Sequence, residues 1–124
     1  MATITKEDYV SFEIAKLLKD KGYDWECISY YVDDEPEDIK YSFCGETNSI
    51  WESRCCSAPT LKMAMMWLRK KHNLFIEVDC GVGAYVWTIT NTTDYVVVYV
   101  GATVGIYEEA CEAAIKYCLE HFIR

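Results

Sequence analysis

The chain is short of positive charge. It has 12 basic residues against 20 acidic ones, a formal net charge of −8. Affinity for duplex nucleic acid rests on lysine and arginine contacts to phosphate, so no duplex partner is expected. Anionic membrane surfaces are disfavoured for the same reason. No apolar run approaches the length of a bilayer span. The opening stretch Met1-Ala2-Thr3-Ile4-Thr5-Lys6-Glu7-Asp8 has neither a basic n-region nor an apolar h-region, so no secretory leader is expected.

Familiar chemical motifs are missing as well. The seven cysteines include no pair with the two-to-four-residue gap of a zinc knuckle. Their odd number and scatter suit free thiols in a reducing cytoplasm. Gly81-Val82-Gly83 does not introduce a helix, so it is not a phosphate-cradling loop. No serine sits in a nucleophile elbow. Neither a repeat, a linker nor a low-complexity tract divides the chain. At 124 residues and 52% hydrophobic content, residues 1–124 are expected to form one domain with a sizeable core.

The most informative stretch runs from Pro59 to Val78. Leu61, Ala64, Met65, Leu68 and His72 recur at helical spacing; Leu74, Ile76, Val78 and Cys80 then alternate as one face of a strand. A helix therefore passes into a strand with only Asn73 to turn on. Upstream, Thr5 and Asp8 have capping-box spacing and predict a first helix from about Thr5. Its inner stripe is Val10, Ile14, Leu17 and Leu18, and Gly22 stops it. Cys27–Val32 reads as a strand, 33–38 as a solvated turn and Ile39–Phe43 as a returning strand. Cys44–Ala58 reads as a long irregular loop. Leu74–Cys80, Ala84–Thr90 and Tyr95–Val100 form an antiparallel meander. A last helix spans about Ile106–Phe122, its buried side being Tyr107, Cys111, Ala114, Ile115, Cys118 and Phe122. The expected class is α+β: three helices on a mostly antiparallel sheet of about five strands, in the order α-β-β-α-β-β-β-α.

Candidate sites each have a plainer alternative. Cys44, Cys55, Cys56 and His72 could supply a zinc site or a thiol–imidazole pair, yet their spacing shows neither, and core packing explains buried thiols equally well. His72 and His121 both lie near helix C-termini, where cationic histidine is favoured. Glu77 and Asp79 share one side of a strand; they could share a proton or simply be its wet face. Aromatic residues are the least ordinary feature, with ten Tyr, four Trp and four Phe. Arg54, Lys62, Arg69, Lys70 and Lys71 are five of the 12 basic residues and fall within one short segment. Trp51, Arg54, Trp67, Arg69 and Lys70 are therefore candidates for gripping a partner, with Phe12 on the outer side of the first helix. In the alternative reading the tryptophans fill the core and the cations solvate a helix. No catalytic residue, metal ligand or cofactor is assigned.

Three stretches carry a resemblance. They are Asp8-Tyr9-Val10-Ser11-Phe12-Glu13-Ile14-Ala15-Lys16-Leu17-Leu18-Lys19, then Ala58-Pro59-Thr60 through Trp67-Leu68-Arg69 to Ile76-Glu77-Val78, then Tyr107-Glu108-Glu109-Ala110-Cys111-Glu112-Ala113-Ala114. In these the chain resembles small proteins encoded by phages and prophage-like mobile elements of gut bacteria. The group carries no established catalytic motif, so the resemblance transfers no functional residue and leaves Cys44–Cys56 as the variable part. It implies action in the cytoplasm of a bacterial host, by binding a host protein or sequestering a small nucleotide signal of host defence. A homo-oligomer belongs to the same expectation. A thiol- or metal-dependent enzyme and a virion or assembly component are the alternatives.

Overall fold

A computed structural model describes residues 5–123. Met1–Ile4, half of the stretch read as lacking a leader, lie outside the described residues. The contacts divide the chain into two compact units, residues 1–60 and 61–124. Each unit mixes helix with a three-stranded antiparallel sheet. The class is α+β with three α-helices, as expected. Among the described residues, however, the strands number six in two sheets rather than about five in one.

In the first unit the Thr5–Asp8 pairing closes a single 3-10 turn, Lys6–Asp8, in which the Thr5 amide donates to Asp8 Oδ2 at 2.8 Å. The helix starts later than its sequence suggests. Ser11 caps α1 (Phe12–Asp20), its Oγ accepting from the Ile14 amide. Val10 is instead extended chain, buried and bonded to the Pro59 carbonyl. Ile14, Ala15 and Leu18 form the inner stripe of α1. Gly22, at φ 94°, ends it, and the Tyr23 amide returns to the Leu18 carbonyl.

β1 (Cys27–Val32) buries alternate residues Cys27, Ser29 and Tyr31, the period of a half-covered strand. It pairs with β2 (Glu35–Glu46), which is longer at both ends than the expected Ile39–Phe43. Only Asp33 and Asp34 turn, and Pro36 is tolerated because β2 is an edge strand. The expected irregular loop also shrinks. Its end forms β3 (Cys55–Ser57), fully buried and paired with the other side of β1. Three residues are too few to show an alternation.

The second unit follows the sequence closely. α2 (Leu61–His72) passes into β4 (Leu74–Cys80) through Asn73, which takes a left-handed turn at φ 58°. β4 pairs with β5 (Tyr85–Asn91) in unbroken register from Leu74↔Asn91 to Cys80↔Tyr85. β5 pairs with β6 (Val96–Thr103), where Val98 is an extra, bulged residue. The sheet order is β4-β5-β6. α3 (Tyr107–His121) buries Ala110, Cys111, Ala114, Ile115, Cys118 and Leu119. Tyr107 and Phe122, expected inside, are more than a third exposed. α3 packs on β4, β5 and β6, and α2 packs on β4 and α3. The Trp87 ring lies across Gly101 so closely that a Cβ there would sit 2.2 Å from Cζ2. A glycine is therefore needed in the middle of β6.

Candidate functional site

The face of α2 that is turned from the core sets the site. Leu61, Ala64, Trp67 and Leu68 are its buried residues, so the inner stripe is rotated toward Trp67 and away from Met65 and His72. Lys62, Met65, Met66 and Arg69 then share a second face, at spacings of three, four and seven. Beside this face runs β4, an edge strand whose outer side has no strand partner among the described residues. Between them lies a groove of about 190 Å³ lined by Lys62, Met65, Met66, Arg69, Phe75 and Ile76. Phe75 is on the wet side of β4, while Leu74 and Ile76 are buried.

The groove therefore joins a soft apolar floor to two cations. Lys62 and Arg69, unlike Lys16 with Asp33, Lys40 with Glu35 and Arg54 with Glu52, have no carboxylate partner among the described residues. Lys70 and Lys71 are exposed on the same helix and raise the local positive charge in a chain that is acidic overall. Methionines adapt to the shape of what they touch. A guanidinium can hold a carboxylate or phosphate with two parallel hydrogen bonds.

The candidates named from sequence separate. Arg69 lines the groove and Lys70 lies exposed beside it. Trp67 is only 3% exposed and meets the His72 ring edge-on at 4.7 Å. It belongs to the core of the second unit, not to a partner-facing surface. Trp51 and Arg54 are in the first unit. Trp51 stacks on Tyr30 at 4.6 Å and donates its indole N–H to Ser57 Oγ at 2.7 Å, so it is held in place. Arg54 is exposed and pairs with Glu52 at 3.5 Å. Phe12 is half-buried, edge-on to Tyr31 at 5.7 Å, with the Lys16 ammonium over its ring. The sequence reading missed Met65, Met66, Phe75 and Ile76 as groove residues. The signal was present in the Lys62–Arg69 spacing and in an aromatic residue at the wet position of a strand.

Five of the seven thiols are buried. Burial pushes Cys27 and Cys55 up, Cys56 to about 11 and Cys118 to about 12; it also raises Cys111. Nucleophilic cysteines are displaced in the opposite direction. Burial lowers His72, which disfavours its cationic form. Among the described residues no three His, Cys, Asp or Glu side chains gather closely enough to hold a metal ion. Comparison with family models, with curated proteins and with solved structures gives no match.

Proposed function

We propose that this chain is a non-catalytic binding protein whose α2–β4 groove holds an acidic segment of a partner protein. The observation that carries the reading is that Arg69 and Lys62, which have no carboxylate partner among the described residues, lie beside the Met65, Met66 and Phe75 floor. At about 190 Å³ the groove is smaller than the ~300–1,000 Å³ of ordinary small-molecule sites. That size suits one apolar side chain with a neighbouring carboxylate better than a whole nucleotide. At Leu74–Ile76, ahead of the acidic Glu77 and Asp79, the free edge of β4 adds backbone donors and acceptors for an extended segment, as in other modules that bind a peptide between a strand and a helix.

The sequence resemblance supplies the setting: a protein of phage or mobile-element origin that counteracts host defence by occupying a host protein inside the bacterial cell. Sequestration of a nucleotide signal is the competing ligand class. The raised thiols weigh against the cysteine-enzyme alternative.

The test is calorimetric titration of the full chain with two kinds of probe. One is a short extended peptide carrying leucine beside aspartate and glutamate; the other is an adenine mononucleotide. The peptide is expected to bind and the nucleotide to bind more weakly or not at all. Arg69→Glu should weaken the peptide at least tenfold, since a charge-assisted contact contributes about 1.5–3 kcal/mol and tenfold is ~1.4 kcal/mol. Peptide affinity unchanged in Arg69→Glu, or binding of neither probe, contradicts the reading.

A further inference from the structure

We infer that two copies of this chain associate by pairing their β6 strands edge to edge. The inference is independent of the α2–β4 groove and rests on how the second sheet ends. β6 is its outer strand, so one side of its backbone has no strand partner among the described residues. A half-covered strand buries every second side chain. β6 does not: Val96, Val97, Val98, Tyr99 and Val100 are each more than a third exposed, Val100 by 55%.

Native sheets normally guard such an edge with charge, proline or a covering element. From Tyr95 to Tyr107 there is no charged residue and no proline, in a chain that is 26% charged. The other strands bordering the two sheets are guarded. β2 carries Glu35, Pro36, Glu37, Asp38 and Lys40; β4 carries Glu77 and Asp79; β3 is buried. Laying β6 of one copy against β2 or β4 of another would set carboxylates among valines, which is costly to desolvate. Laying β6 against β6 opposes only neutral residues. A second copy is thus the partner whose edge matches this one. Because the same strand serves both sides, the pairing is isologous and closes at two copies.

The strand geometry agrees. The bulge at Val98 would disturb an added strand, but from Tyr99 to Thr103 β6 keeps regular register with β5. That leaves five residues of flat edge. Tyr95, Val104, Ile106, Tyr107 and Phe122 extend the exposed apolar surface around the strand.

Size-exclusion chromatography with light scattering on the full chain tests this. The wild-type protein is expected at twice the 14.3 kDa chain mass. Val100→Lys and Val100→Glu are each expected to run as monomers with unchanged far-ultraviolet circular dichroism, because Val100 faces solvent in the single chain. Mixing the two variants is expected to restore the dimer, since opposite charges then meet across the strand pair. This separates a lost interface from a lost fold. A wild-type monomer, a dimer that persists in both variants, an open series of larger species, or a mixture that stays monomeric overturns the inference.

Discussion

The two units each hold a three-stranded antiparallel sheet, yet they are finished in opposite ways. The first closes its loop with polar groups. Asn48, 9% exposed, donates to the Tyr23 carbonyl at 2.7 Å and accepts from the Ser57 amide at 2.9 Å. Ser57 takes the Trp51 indole N–H, and Ser29 donates to the Ala58 carbonyl at 2.6 Å. Its outer strand β2 carries charge and proline. The second unit is finished with rings. Trp87 packs over Gly101, Tyr99 stacks on Tyr117 at 3.8 Å, and Tyr117 stacks on His121 at 4.2 Å. Its outer strand β6 is bare. Buried polar pairs hold one particular arrangement because each lost partner leaves a costly orphan. Ring packing tolerates more variation but forbids bulk at the point of closest approach. The apolar, cationic and unguarded surfaces described above all belong to the second unit.

The contrast can be broken from either side. The largest effect is expected from Gly101→Val. Its Cβ would have to occupy the space of the Trp87 ring, so overpacking should destabilise the fold by about 3 kcal/mol or more. Thermal unfolding followed by circular dichroism measures this, and Trp87 fluorescence should change with it. A midpoint within a degree or two of the wild type would mean that the ring can move aside freely. Next comes Asn48→Leu, similar in size but unable to serve the Tyr23 carbonyl or the Ser57 amide. A loss of about 2–3 kcal/mol is expected from the two orphaned groups, read from urea unfolding midpoints. If the loss is negligible, the polar closure of the first unit contributes nothing to stability.

The smallest effect is a pH dependence that both units share. Cys56, in the first, and Cys118, in the second, are raised from an ordinary thiol value of 9.0 to about 11 and about 12. The unfolded chain loses these protons near pH 9, whereas the folded chain keeps them. Stability is therefore fully present below pH 9 and falls as pH rises toward 11 and 12. Between pH 9 and 10 each thiol should remove about 1 kcal/mol, since one unit corresponds to ~1.4 kcal/mol. Urea midpoints across that interval check it. The fall should shrink in Cys118→Ala, and a flat profile would mean that the thiols are solvated.

Much of the second unit was legible in the sequence. The change of period across Asn73 located α2 and β4, and the three alternating segments gave the meander. The first unit was less legible because its decisive contacts join distant residues. β3 has three residues and takes its partner from β1, and Val10 is withheld from α1 by a bond to Pro59. The groove was half legible. Met65 and Trp67 flank the Leu61–Ala64–Leu68 stripe on opposite sides of the helix, and spacing alone does not say which of them faces the sheet. The structure places Trp67 inward, which leaves Met65 and Met66 beside Arg69. The exposure of β6 was not legible, because a valine run reads alike at the centre and the edge of a sheet. Strand order supplies the distinction.

The proposed binding role is tested most directly by residue-resolved nuclear magnetic resonance of the full chain during titration with the acidic, leucine-bearing peptide. Saturable amide shifts are expected at Lys62, Met65, Met66 and Arg69 and along the Leu74–Ile76 edge of β4, and none of comparable size in residues 5–60. Shifts centred on Trp51 and Arg54, or no saturable shifts at the groove, would contradict it.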